Sequence, residues 1–272
     1  MRTAVTTNGR RDRLQLWHQT ITIRSRRQSR DLCSARSTSK RSAPWRALSS
    51  QTRCIGVRKN RNVWATPRKS GSLTSSELTA RASMYDAVAD PYCYPGTAVL
   101  KNLLDIRDQA TLDQYEAEVT AARAEQPFPS GKLDTVHYCR FHHHLFQDVF
   151  EWAGRYRTVR IAKGENYFCY PEYIAVQMNR LFSDLRRSNF FQGQSATKFA
   201  DTGGHFLAEL NSIHPFREGN GRAQLAFFAH LADHAGRPLQ LKRLDPDVFM
   251  TAMIASFLGD EAPLTEVIAD LL

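Results

Sequence analysis

The sequence predicts an all-α body carrying one β-hairpin, preceded by a basic segment with no folding pattern of its own. Three observations lead there. From Met84 onward apolar residues recur at three- and four-residue spacings over most of the chain. Only one stretch, residues 156–170, alternates instead. Charge is also divided: residues 1–83 hold 19 Lys+Arg against 3 acids, and residues 84–272 hold 18 bases and 24 acids. The net charge of +10 therefore averages a head of +16 and a body of −6.

The head (residues 1–83) is rich in Arg, Ser and Thr with scattered apolar residues, a composition that buries too little surface to offset its ordering entropy. Three readings compete: a polybasic tail for nucleic acid or another anionic surface, an organelle transit peptide, or translated upstream sequence ahead of a functional chain that starts at Met84. The compositional break beside that methionine favours the last.

In the body (residues 84–272), Asp90–Thr97 is a Pro/Gly-punctuated entry, and residues 98–107 read as a helix. Thr111 is placed to cap a second helix that stops before Pro127. Residues 133–154 carry Val136, Cys139, Phe141, Leu145, Phe146, Val149, Phe150 and Trp152 at helical spacing, with Gly154 as the stop. A Lys-Gly-Glu-Asn turn splits residues 156–170 into the hairpin. Helices are expected over 172–188 and Thr197–Ile213. Another runs from near Arg222 to the Gly236-Arg237-Pro238 break. A further one starts at Asp245-Pro246, and a last one covers Pro263–Leu271.

Composition narrows function by exclusion. With 42% hydrophobic and 24% charged residues the chain is ordinary globular material, not collagen or coiled coil. No stretch reaches the ~18 consecutive apolar residues of a membrane-spanning helix. Five widely spaced cysteines without a CxxC argue against a disulfide framework or structural zinc. A cytoplasmic, reducing location is the expectation. His137, Cys139, His142, His143 and His144 spread around a helix rather than converge on a metal, so packing or surface roles are expected. His205, His230 and His234 read as bundle histidines. Glu209 and Asn211 either orient the loop that follows them or simply face solvent.

That loop, His214-Pro215-Phe216-Arg217-Glu218-Gly219-Asn220-Gly221-Arg222, lies between two long helical patterns. Gly-Asn-Gly permits positive φ, so successive amides can turn inward as a nest. The next helix adds its N-terminal dipole and unpaired donors. Arg222 can grip phosphate oxygens in pairs. Glu218 is a hard oxygen ligand suited to Mg²⁺, and a neutral His214 can accept a proton from a hydroxyl. Taken singly, each has a plain reading: a turn histidine, a helix entry, an i,i+4 surface pair of Glu218 and Arg222. Their concentration within nine residues favours the chemical one.

The run HPFREGNGR resembles the signature HxFx(D/E)GNGRxxR of Fic-domain proteins, matched here by His214, Phe216, Glu218, Gly219, Asn220, Gly221 and Arg222. HLFQDVFEWAGRYRTVRI (144–161) is similar to the helix and flap strand that precede that signature, and YPGTAVLKNLL (94–104) to the start of short bacterial Fic toxins. The resemblance covers essentially the whole body. It implies a helical bundle with one β-hairpin flap. It also implies Mg²⁺-dependent transfer of AMP from ATP to a Ser, Thr or Tyr hydroxyl of a target protein. His214 would then be the general base and Glu218 the metal ligand. Phe216, Arg217, Gly219, Asn220, Gly221 and Arg222 would form the nucleotide site. The flap, with Arg160, Ile161, Ala162, Lys163 and Gly164, would clamp the target by strand addition. The alternatives are a kinase-like relative and a non-catalytic nucleotide-binding module.

The second signature arginine would fall at Leu225, which leaves its phosphate and regulatory roles without a residue unless Arg217 substitutes. The inhibitory pattern (S/T)xxxE(G/N) is also missing. Only Glu165 and Glu218 precede Asn or Gly, and Ile161 and His214 stand four residues upstream. By resemblance, the partners would be a small separate antitoxin and, as target, a type II topoisomerase subunit. Nucleic acid enters only through the basic head, and no membrane partner is expected.

Overall fold

The computed structural model describes residues 90–163 and 166–272. The basic head, Met84 and the flap-tip Gly164 lie outside them. Helix α1 (Gln109–Ala124) is capped by Asp108, whose carboxylate accepts the Thr111 amide at 2.8 Å. Helix α2 (Thr135–Phe146) is capped in the same way by Asp134 on the His137 amide. The hairpin β1 (Ala162–Lys163) and β2 (Asn166–Tyr167) pairs Ala162 with Tyr167 and Lys163 with Asn166, antiparallel. Helix α3 (Pro171–Arg187) opens on its proline. Helix α4 (Ala196–Ile213) is capped by Ser195, and α5 (Asn220–His234) begins on Gly219. Helix α6 (Pro246–Phe257), capped by Asp245, and α7 (Ala262–Leu271) complete the bundle.

The expected bundle with its flap is what the chain forms, with three local corrections. Residues 98–107 are irregular, not helical. Asn102 stitches this segment through its side chain, donating to the carbonyls of Leu100 and Ile106 and accepting the Ile106 amide. These bonds offer the backbone an alternative to a helix. Thr111 is not a cap; Asp108 starts α1 three residues earlier. The helix expected over 133–154 ends at Phe146, after which the chain turns through Gly154 at φ +79°. The Asp134 cap sets the phase of α2. His137, Tyr138, Phe141, His142 and Leu145 face inward, and Val136 is left exposed.

Helix α4 is the centre of the bundle and packs against α3, α5, α6 and α7. Two glycines make this possible. A Cβ on Gly203 would sit 2.7 Å from the Phe228 ring, and one on Gly204 would sit 2.9 Å from Thr265 Oγ1. Close approach of α5 and α7 therefore requires both. Tyr138, Phe182, Phe216 and Phe227 interlock with Phe206 of α4 as stacked, tilted and edge-on pairs. Burial of these rings holds the end of α4 and the start of α5 together, and the loop between those two ends carries the site.

Candidate active site

The site is built where α4 stops. His214 takes the left-handed conformation (φ 49°, ψ 63°), which ends the helix and turns the chain toward Gly219. Its Nδ1 lies 3.1 Å from the Asn211 carbonyl. A carbonyl only accepts, so Nδ1 carries the proton and Nε2 is the basic nitrogen. The Asn211 side chain donates to the Met253 carbonyl at 3.0 Å, which ties this turn to α6. Of the two residues expected to flank the loop, Asn211 thus orients it. The ring of Phe168, just after β2, stacks on the His214 imidazole at 3.9 Å and 18°.

Asn220 fastens the loop to itself. Its Oδ1 accepts the Phe216 amide at 2.9 Å and its Nδ2 donates to the Phe216 carbonyl at 2.8 Å. Phe216 is fully buried, its ring 3.8 Å from the imidazole of His142 and 5.4 Å from Tyr138. Its ring lies in the core and its backbone is taken by Asn220, so Phe216 anchors the loop. The Arg217 guanidinium pairs with Asp90 at 2.7 Å. Leu225 itself is buried in the core.

Gly219 has φ +79°, and a Cβ there would fall 2.2 Å from the Phe146 ring, so both conformation and space demand glycine. The first bond of α5 runs from the Ala223 amide to the Gly219 carbonyl. The amides of Asn220, Gly221 and Arg222 therefore precede the helical ladder and form the anion-attracting end of α5. A Cβ built on Gly221 meets nothing within 4 Å, so open space lies on the side-chain side of that residue.

The Glu218 carboxylate accepts the Gly219 amide at 3.0 Å and lies 3.7 Å from the Arg222 guanidinium. Among the described residues no three His, Cys, Asp or Glu side chains converge on a metal site. One hard carboxylate beside an anion-binding helix end nonetheless fits Mg²⁺, which draws its remaining ligands from phosphates and water. Arg222 is almost wholly buried. It forms an ion pair with the fully buried Glu116 of α1, a 3.4 Å contact with Thr120, and a cation–π contact with Phe146 at 4.5 Å. On the flap, Arg160 stacks on Tyr167 at 3.7 Å and on Tyr170 at 4.2 Å, and Ala162 is exposed on β1 next to Ile161.

The fold thus brings together His214, Glu218, Gly219, Asn220, Gly221 and Arg222, and places the flap leg on His214 through Phe168. Glu116 and Arg157 went unread in the sequence, and His142 was read only as a packing or surface histidine. Glu116 had a visible signal: it stands with Leu112, Thr120 and Ala124 at four-residue spacing, a carboxylate inside an apolar stripe. His142 is buried and neutral, its pKa brought down to about 3 by burial. It accepts the Gly154 amide on Nδ1 and donates from Nε2 to the Glu218 carbonyl at 2.9 Å. Arg157 is buried too, and its partners are main-chain carbonyls of distant segments, for which a sequence carries no pattern.

Known proteins resemble this chain over most of its body. The profile of the Fic/DOC family matches residues 132–232. "Probable protein adenylyltransferase y4lH" of Sinorhizobium fredii is 52% identical over 181 residues, covering 66% of this chain and 94% of its own. "Probable protein adenylyltransferase Fic" of Escherichia coli K12 is 38% identical over 175 residues, covering 63% and 86%. The crystal structure of the BepC protein with bound AMPPNP, from Bartonella tribocorum, matches with a TM-score of 0.59 at 26% identity, covering 66% of this chain and 95% of that one. No helix among the described residues is long and apolar enough to cross a membrane. On the match to its relatives and the geometry of the loop from His214 to Arg222, the chain belongs to the Fic/DOC family.

Proposed function

We propose that this protein is an adenylyltransferase that moves AMP from ATP to a Ser, Thr or Tyr hydroxyl of a target protein. The observation that carries the reading is the His214 tautomer. With Nδ1–H donated to Asn211, Nε2 is basic and sits one short loop before the amides that open α5. The target hydroxyl oxygen attacks the α-phosphorus. Its proton goes to His214 Nε2, and the bond from the α-phosphorus to the bridging oxygen breaks to release pyrophosphate. The amides of Gly219, Asn220 and Gly221 hold phosphate oxygens, and the Arg222 guanidinium lends its charge beneath them. Glu218 would hold Mg²⁺, which supplies charge neutralisation at the phosphates. Strand pairing along Arg160–Gly164 would place the target hydroxyl. Support comes from the relatives named protein adenylyltransferases and from the nucleotide analogue bound to the Bartonella neighbour.

The working unit in this reading is the Fic domain over residues 84–272. A relative covered over 94% of its length by 181 aligned residues supports a unit of that size. The reading extends to a cytoplasmic toxin paired with a small antitoxin that bears the inhibitory helix this chain lacks, with a type II topoisomerase subunit as first candidate target.

The test is transfer of label from Mg²⁺ and ATP, marked separately at the α- and γ-phosphate, onto protein in a cell lysate, beside a His214→Ala control. Label from the α position, lost in the control, is the expected outcome. Label only from the γ position would replace the reading with a kinase-like one. Absence of either label, with nucleotide still bound, would replace it with a binding module.

A further inference from the structure

We infer that Arg157 is a positioning residue that locks the flap to the base of the proposed transfer reaction. Its guanidinium donates to four main-chain carbonyls from three separate segments. Nε bonds the His214 carbonyl at 2.8 Å. One terminal nitrogen bonds Val159 at 2.7 Å, and the other bonds Cys169 at 2.6 Å and Ile213 at 3.2 Å. The Arg157 amide adds a bond to the Pro215 carbonyl at 2.9 Å, and the Cys169 amide one to Ser212 at 3.2 Å. Val159 leads into β1 and Cys169 leads out of β2, so one side chain holds both legs of the flap. Ile213 and His214 are the last carbonyls of α4, where a cation is favoured by the helix dipole.

This arrangement accounts for two features of the site. The first is the left-handed backbone of His214, unusual for a residue other than glycine. That conformation turns its carbonyl onto Nε of Arg157, and the bond holds it there. The second is the Phe168 ring on the imidazole: Phe168 adjoins Cys169, whose carbonyl the same guanidinium fixes. Burial brings the Arg157 pKa down to about 10, so the group remains cationic at neutral pH. None of these four carbonyls belongs to Glu218 or to the start of α5. Its loss should therefore disturb the geometry between flap and base, and leave nucleotide binding in place.

The inference rests on the adenylyl-transfer reading, and the test separates the two. In the full chain, Arg157→Lys keeps the charge but cannot span all four carbonyls. The expected result is ADP affinity within about twofold of wild type by calorimetry, with transfer kcat down about 10- to 100-fold. The ¹⁵N resonances of the His214 imidazole should also lose the fixed Nδ1–H pattern. If kcat is unchanged, or falls only in step with ADP affinity, Arg157 is merely structural and the inference is overturned. If the Lys variant does not fold, Phe168→Ala, which removes the ring at the end of the same leg, must give the same split or the inference fails. A wild type that transfers no label would sink the adenylyl-transfer reading instead. The inference is then decided by the His214 resonances alone, which must differ between wild type and variant.

Discussion

The imidazole of His142 is held in one tautomer, accepting the Gly154 amide on one nitrogen and donating to the Glu218 carbonyl from the other. Both bonds need the ring neutral on Nδ1. Burial lowers its pKa to about 3, against about 6.5 in an open chain. Between those values the unfolded chain binds a proton that the folded chain refuses, so stability is complete above pH 6.5 and falls as the pH drops. From this group alone, the protein should be about 2 kcal/mol less stable at pH 5 than at pH 7. Urea midpoints at the two pH values should show that loss, and His142→Gln should remove most of it. An equal loss in the variant would mean that another group carries the effect. The candidate site was legible where its residues are local: His214, Glu218 and the Gly-Asn-Gly run occupy one short loop, and their types suggest a base, a ligand and a nest. Phe216 and Asn220 share that loop, but a sequence cannot show that the phenyl ring turns into the core or that the amide closes on Phe216. Arg157 and His142 act on backbone atoms far along the chain, and backbone atoms are the same in every residue.

Helices α1 and α5 meet in a charged contact inside the core. Glu116 is fully buried and Arg222 nearly so, with Thr120 and the Phe146 ring completing the guanidinium's surroundings. Such a pair is weak evidence for stability in itself, because both charges were taken out of water. Removing one partner, however, strands the other. Glu116→Ala should therefore cost about 3–5 kcal/mol in chemical denaturation. A cost below about 1 kcal/mol would show that water reaches the pair. The contact also bears on the site, since the carboxylate fixes the guanidinium directly beneath the start of α5. Helix positions were legible wherever a start signal coincided with an apolar stripe, as at Asp245-Pro246. They failed where side-chain hydrogen bonds outcompeted periodicity. Asn102 unmade the helix expected over 98–107, and the turns after Phe146 shortened α2 although Val149 and Phe150 still reach the core.

At the scale of the whole molecule, α4 organises the bundle and its C-terminal end carries His214, so the site is coupled to the stability of the core. The contacts between helices described above run among residues 109–271, and the charge division of the sequence places the basic excess in residues 1–83. The two parts should answer to different variables. A chain beginning at Met84 should unfold cooperatively with the same free energy as the full chain, because the head has no apolar periodicity with which to join the core. It should gain the same stability from nucleotide: at a hundredfold excess over Kd, about 2.7 kcal/mol, read as a rise in Tm with Mg²⁺ and ADP. The head should be visible only in salt. If its +16 charge engages nucleic acid, the full chain should bind a duplex with an affinity that falls steeply as salt rises, and the shortened chain should not. A shortened chain that unfolds earlier, or loses its response to ADP, would place part of the domain before Met84. Equal unfolding with no salt-dependent binding by either form would leave the head outside both fold and function, as its composition beside Met84 predicts.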